Sequence, residues 1–347
     1  MEKHTEDIFK KLENKKEEIK KEIKDEILKE RRKTQGKIII VGDGAVGSSF
    51  AYTLVAQNIG REIGIIDINK EKVIGDCMDL SNAVAYTRPK KVFAADYSDC
   101  KDAEIVAISA GVPQKKGETR MDLLKNNIVV FESIIKEIVD SGFKGIFLIA
   151  TNPVDVLTYA TWKISGFPKN KVIGTGTTLD TARLRREIAE KFNIDTRNVH
   201  GYILGEHGDT EFPCWSQTNI AGVSLKDWIS LNKEKTIDEL NEIFEKVKNA
   251  AYEIINRKGA TYYGIAMSMA KICKTILNDS GSILPVSSYL DGKYGLEDLF
   301  IGVPAIIDKN GVRDVVEIKL SDDEKNKMFL SAKAIKDAIK QTKLGDH

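Results

Sequence analysis

From Lys37 onward the chain alternates short, uninterrupted apolar runs with longer stretches whose apolar residues recur every three or four positions. "KIIIVGDG" leads into "AVGSSFAYTLVAQNIG", and "EIGIIDIN" into "KEKVIGDCMDLSNAVAY". "KVFAAD", "AEIVAISA", an amphipathic segment from about Met121 to Val139 and "GIFLIATN" follow. Apolar runs without polar alternation read as strands buried on both faces, and the amphipathic segments between them as covering helices. This order predicts an α/β fold built on a doubly wound parallel sheet. After "KVIGTG" the alternation loosens, and later segments mix strands with long helices, as in an α+β unit. The expected organisation is therefore a parallel-sheet domain over 36–174 and a second, α+β domain over 175–347.

Residues 1–35 follow a different pattern. Lys and Glu dominate, while Ile8 and Ile19, like Leu12 and Ile23, stand eleven residues apart. That spacing puts them on one narrow helical stripe and drifts away from the heptad of a left-handed coiled coil. The segment reads as a charged helical or disordered extension, with a helix docking on the body or on another subunit as the alternative.

Composition narrows the functional classes. Lys and Arg number 53 against 52 Asp and Glu, a net charge of +1, so no global field favours nucleic acid or an anionic membrane. No apolar run approaches the length of a membrane span, and the N-terminus lacks a signal-peptide core. Cys77, Cys100, Cys214 and Cys273 are scattered without paired spacing, which predicts idle thiols in a reducing cytoplasm and no metal site.

"VGDGAVG" places Gly42, Gly44 and Gly47 directly after a strand and at the opening of a helix. Such glycines permit a tight turn, close backbone approach to a pyrophosphate and close helix–strand packing. The next strand ends at Asp67, twenty residues past the last glycine. Its carboxylate can accept from both hydroxyls of an adenosine ribose and would repel a 2′-phosphate, so the expected cofactor is NAD on a Rossmann fold.

Chemistry-bearing residues recur further on. Asp180 and Arg183 stand three apart in "LDTARLRREI", one face of an expected helix, where an ordinary surface ion pair is the competing reading. His200 and His207 both lie in "VHGYILGEHGDTE"; His207, between "GE" and "GD", sits in a turn that can present an imidazole to a cleft. "ATNPVD" follows a strand end, where α/β sheets place ligands.

The motifs "VGDGAVG", "IIDIN", "QKKGETR", "ATNPVD", "LDTARLR", "GEHGDTE" and "GATYYGIAM", in this order over residues 36–347, resemble those of the L-lactate/malate dehydrogenase family. The resemblance implies a proton-donating His207 oriented by Asp180, Arg183 clamping a substrate carboxylate, and Arg120 polarising the carbonyl. It further implies Asn152 on the reacting oxygen, Thr261 lining the pocket and Ile265, also readable as a core aliphatic, on the nicotinamide. Val46, Lys72, Gly111, Val112, Ser133 and Asn152 join the cofactor set. The loop that begins at Gly111 would act as a lid carrying Arg120 inward.

Gln114 occupies the position where malate dehydrogenases of the family carry Arg. An amide cannot neutralise a second substrate carboxylate, so Gln114 favours pyruvate and L-lactate over oxaloacetate. Val112-Pro113 before it resembles malate dehydrogenases instead, and Lys116 stands where Pro is frequent. A malate or broader 2-keto-acid dehydrogenase is thus the rival enzyme, and a non-catalytic NAD-binding scaffold the rival of another class. Arg185, about 200° round the helix from Arg183, and His200 match positions that bind fructose 1,6-bisphosphate in bacterial members. The resemblance therefore also implies an effector site between subunits of a homotetramer.

Overall fold

The computed structural model describes residues 15–21, 36–112, 119–231 and 238–346. Residues 15–21 are helical and exposed; the rest of the 1–35 extension lies outside the described residues, as does Gln114.

Six parallel strands carry the first half: β1 (Lys37–Val41), β2 (Glu62–Ile66), β3 (Lys91–Ala94), β4 (Ile105–Ile108), β5 (Ile146–Ile149) and β6 (Val172–Gly174). They lie in the order β3-β2-β1-β4-β5-β6, the doubly wound arrangement whose direction reverses between β1 and β4. Helices α1 (Ala45–Ala56), α2 (Lys70–Val84), α3 (Arg120–Asp140) and α4 (Val154–Ser165) connect them.

The apolar runs show why. Ile38 and Ile40 of β1, Ile105 and Ala107 of β4, and Ile146 and Leu148 of β5 belong to the core layer that includes α1 residues Phe50, Ala51 and Leu54. Their neighbours Ile39, Val41, Val106, Ile108, Phe147 and Ile149 belong to the opposite layer, with Phe131, Ile135 and Ile138 of α3 and Leu157 of α4. Successive strand residues thus fill two cores, each fully buried aliphatic contributing about 1.5–3 kcal/mol.

Beyond β6 come α5 (Thr178–Phe192), β7 (Val199–His200), β8 (Ile203–Leu204), β9 (Phe212–Pro213), β10 (Asn219–Ile220), β11 (Val223–Ser224), α6 (Leu225–Leu231), α7 (Asp238–Lys258) and α8 (Tyr263–Leu277). Strands β12 (Ser282–Asp291), β13 (Glu297–Asp308) and β14 (Gly311–Val315) precede α9 (Asp322–Lys340). The mixture of strands and long helices expected here is present, but its long strands do not form a separate sheet. Strand β12 runs antiparallel to β6 through Ser287 opposite Gly174, so β12, β13 and β14 extend the parallel sheet to nine strands.

The seam is tight. A Cβ on Gly174 would lie 2.4 Å from Thr158 Oγ1 and 2.7 Å from Ser287 Cβ. Helix α8 packs directly on α1, and the Trp162 ring of α4 lies 4.9 Å from that of Tyr289 on β12. All four cysteines are buried free thiols, and burial first of all pushes Cys77 up to about 11 and Cys100 and Cys214 up to about 12. No described helix is long and apolar enough to cross a membrane.

Candidate active site

The glycine turn closes β1 onto α1. Gly42 has φ of +104°, and a Cβ there would meet the Ala110 nitrogen at 2.4 Å. At Gly47 a Cβ would stand 1.8 Å from the Gly42 carbonyl oxygen, so α1 can approach the strand only through glycine. At Gly44, the N-cap of α1, a Cβ would meet nothing within 4 Å, and no side chain caps the helix. The space beside the helix N-terminus is thus open and its cap position empty of side chains, the setting in which a helix N-terminus receives a pyrophosphate.

Asp67, at the end of β2, accepts the Asp43 amide on Oδ2 at 2.7 Å and the Asn69 amide on Oδ1 at 2.9 Å. These bonds fix its plane and leave lone pairs for ribose hydroxyls. The donors, the open cradle and the carboxylate fit NAD. Val46 lies half-buried against the core beside the turn. Lys72, itself exposed, reaches the turn: its Nζ bonds Asp43 Oδ2 at 2.9 Å and Asp76 Oδ2 at 2.6 Å. Asp43, unassigned in the sequence reading, is thereby the buried anchor of the turn.

At the ends of β4 and β5, Asn127 of α3 stitches two loops. Its Oδ1 accepts the Val112 amide at 2.9 Å, and its Nδ2 donates to the Asn152 carbonyl at 3.4 Å. A Cβ on Gly111 would press on Thr151 Cγ2 at 2.7 Å. Gly111, Val112 and Asn152 are exposed at this edge. Ser133 is exposed midway along α3, a helix that packs chiefly on α4 and on the 97–102 turn rather than on α1. Arg120 opens α3, whose start is fixed by a capping box between Thr119 and Asp122.

The catalytic candidates converge from distant segments. His207 follows β8 in an irregular turn, and its Nδ1 lies 2.7 Å from Oδ2 of Asp180, in the first turn of α5. Arg183 NH1 donates to the other Asp180 oxygen at 3.0 Å; the two side chains are 11% and 3% exposed, so this is no surface ion pair. The ring of His207 keeps 26% exposure, enough to meet a substrate.

Three elements hold the turn. Asp155 Oδ2 accepts the His207 amide at 2.8 Å, while its Oδ1 accepts the Ser287 hydroxyl at 2.5 Å. Gly205 exchanges two 3.0 Å backbone bonds with Gly302 of β13. Ser331 of α9 accepts the Glu206 amide at 2.6 Å and meets the Thr210 hydroxyl at 3.0 Å.

Electrostatics follow from this burial. Burial alone would lower the His207 pKa, but the Asp180 charge and hydrogen bond outweigh it and raise it to about 9. Burial pushes the Asp180 carboxyl up, yet His207 and Arg183 together hold it below the usual range. Asp155, raised by burial and drawn back by the Ser287 and His207 donors, settles at about 6. The sequence reading assigned no role to Asp155, Ser331 or Glu211. Asp155 closes the "ATNPVD" motif and Glu211 ends "GEHGDTE", so both left a local trace, whereas Ser331 left none.

Thr261 is half-buried just before α8, and Ile265, on its first turn, packs against a core layer. Arg185 points away from Arg183: its Nε donates to the Gly201 carbonyl at 3.0 Å, and its guanidinium lies 5.3 Å from the Tyr202 ring centroid. His200, adjacent to Gly201, is exposed on β7. The two groups thus share one neighbourhood.

A parallel sheet with an NAD cradle at its switch point, beside an Asp-held imidazole and a buried arginine, defines the class of nicotinamide-dependent oxidoreductases acting on small oxo acids. Comparison with known proteins gives the family. The NAD-binding domain of lactate/malate dehydrogenases matches residues 36–174, and the α/β C-terminal domain of the same family matches 177–344. The chain belongs to the lactate/malate dehydrogenase family.

Among its relatives, the L-lactate dehydrogenase of Lacticaseibacillus casei is 57% identical over 307 residues, 88% of this chain and 94% of that protein. L-lactate dehydrogenase 1 of Listeria monocytogenes serovar 1/2a is 56% identical over 313 residues, 89% of this chain and 99% of its own. The ligand-bound crystal structure of the minor L-lactate dehydrogenase of Enterococcus mundtii superposes with a TM-score of 0.87 at 48% identity, covering 88% of this chain and 98% of that one. NAD is the cofactor of this enzyme.

Proposed function

We propose that the enzyme interconverts pyruvate and L-lactate. The observation that carries the reading is the buried Asp180 carboxylate 2.7 Å from His207 Nδ1, beside Arg183. NADH, when bound, supplies the hydride. With Nδ1 committed to Asp180, His207 offers Nε2 to the substrate: as the imidazolium it gives a proton to the carbonyl oxygen, and as the neutral ring it takes one back in the oxidative direction. Asp180 fixes the tautomer and stabilises the imidazolium. Arg183 presents its guanidinium to the substrate carboxylate, Arg120 is assigned to the developing oxyanion, Asn152 to the same oxygen and Thr261 to the pocket lining. Closure of the lid from Gly111 onward excludes water.

Gln114 is the selector against a second carboxylate, a reading supported by the L-lactate dehydrogenase names of the relatives. The enzyme works as a cytoplasmic homotetramer, and Arg185 with His200 forms half of a fructose 1,6-bisphosphate site between subunits. Their meeting at Gly201 supports that assignment. Initial rates of NADH oxidation with pyruvate and with oxaloacetate, each with and without the bisphosphate, test both statements. Pyruvate preference with activation is expected; oxaloacetate preference would overturn the role of Gln114, and pyruvate preference without activation would retire the effector site. Gln114→Arg should raise oxaloacetate turnover relative to pyruvate, and an unchanged ratio would count against the selector.

A further inference from the structure

Glu211 has no task in the scheme above, although it stands at its centre. Its side chain is 4% exposed, with Oε2 3.9 Å from His207 Nδ1. Ligating atoms of Asp180, His207 and Glu211 all lie within 4.8 Å of one another. The groups facing this pocket are Asp180 and Arg183 from α5, Asp155 from α4, Ser287 from β12, and Glu206 and His207 from the turn itself.

The positive charge here is already engaged. Asp180 holds Arg183 at 3.0 Å and the His207 ring at 2.7 Å. Glu211 meets that ring only at 3.9 Å, and the Nδ1 proton is already directed to Asp180. Two carboxylates in one water-poor site cannot both ionise when the cations favour one of them. The proton then stays on the group with the weaker partners, and a neutral carboxylic acid beside a carboxylate is a donor.

We propose that Glu211 acts as a neutral carboxylic acid that donates a hydrogen bond to Asp180, a positioning residue that keeps the Asp180 carboxylate aimed at His207. Burial and the neighbouring Asp180 raise the Glu211 pKa to about 9, in keeping with this. The inference rests on His207 being the proton donor of the proposed reaction. An ionised Glu211 would add a second negative charge beside the ring and make the imidazolium a weaker acid. A neutral Glu211 stabilises Asp180 without that cost.

The test compares the full-length wild type with Glu211→Gln, which keeps a donor and cannot ionise. The first readout is melting temperature against pH, which needs no substrate. A native carboxyl titrating near 9 rather than at the ordinary 4.5 of a solvated glutamate makes the wild type lose stability progressively between those pH values, because the unfolded chain releases the proton first. The Gln variant lacks that slope, so its melting temperature should gain on the wild type from pH 5 to pH 8. A difference that stays flat or shrinks over that range overturns the proposal.

The second readout is the pH dependence of kcat/KM for pyruvate reduction. Glu211→Gln should keep the alkaline midpoint within about half a unit of wild type. A fall of about one unit or more would mean that a negative charge had been removed, and Glu211 would then be an anion. Glu211→Leu, which removes the donor, should lower kcat roughly tenfold with NADH binding retained; wild-type kcat in this variant also overturns the positioning role. Absence of pyruvate reduction by the wild type would sink the functional reading, while the melting comparison would still decide the state of Glu211.

Discussion

The His207–Asp180 bond sets both what the imidazole can do and over which pH range. In the proposed reaction reduction needs the imidazolium, and the Asp180 charge and hydrogen bond raise its pKa to about 9. The value of kcat/KM for pyruvate should therefore hold through neutrality and fall as pH passes about 9, while lactate oxidation should rise over the same range. The same shift favours the native fold below the unfolded value of about 6.5, and that contribution is lost as pH rises through the folded one. His207→Asn should bind NADH normally, since no contact of the glycine turn involves it, and lose turnover by roughly 10²–10⁴-fold. Substantial residual turnover would assign the proton to another group. Arg183→Lys keeps the charge but loses the fork, so KM for pyruvate should rise and kcat fall; near-wild-type kinetics would contradict the clamp.

At the level of elements, the catalytic turn owes its placement to partners far away in the chain. Ser331 of α9 holds it at Glu206 and Thr210, Gly302 of β13 at Gly205, and Asp155 of α4 at the His207 amide. Ser331→Ala should cost about 1 kcal/mol of stability, because it leaves the half-buried Glu206 amide without its acceptor. It should also lower kcat more than it changes NADH affinity, which stopped-flow binding beside steady-state rates would separate.

These ties mark where the sequence stops being legible. The strands and helices of residues 36–174 could be read because local periodicity produces them. Gly42, Gly47, Asp67, Asp180 and His207 could be read because their motifs are short and contiguous. Ser331 carries no local sign of its role, since a serine on an amphipathic helix reads as surface until the fold places it 2.6 Å from the Glu206 amide. The bonds of Lys72 to Asp43 and Asp76 depend on a side-chain direction that position in the sequence does not give.

For the molecule as a whole, the decisive feature is one sheet shared by the cofactor cradle and the substrate side. The looser pattern after residue 175 reports a change in the mix of strands and helices, but not which sheet edge those strands join. Ser287 opposite Gly174, Trp162 against Tyr289 and α8 against α1 bind the halves into one cooperative body. Urea unfolding followed by tryptophan fluorescence, with Trp162 on one side and Trp215 and Trp228 on the other, should show a single transition coincident with circular dichroism. Gly174→Val, which would force a side chain onto Thr158 and Ser287, should move that transition down as a unit instead of splitting it.

The four buried cysteines have a practical consequence. A thiol shielded from solvent and pushed up to about 11 or 12 holds almost no thiolate at neutral pH, and the thiolate is the species that maleimides and iodoacetamides attack. The native background toward such reagents is therefore nearly blank. A single cysteine introduced at an exposed site such as Lys226 would take a fluorophore alone, with all four natural cysteines left in place.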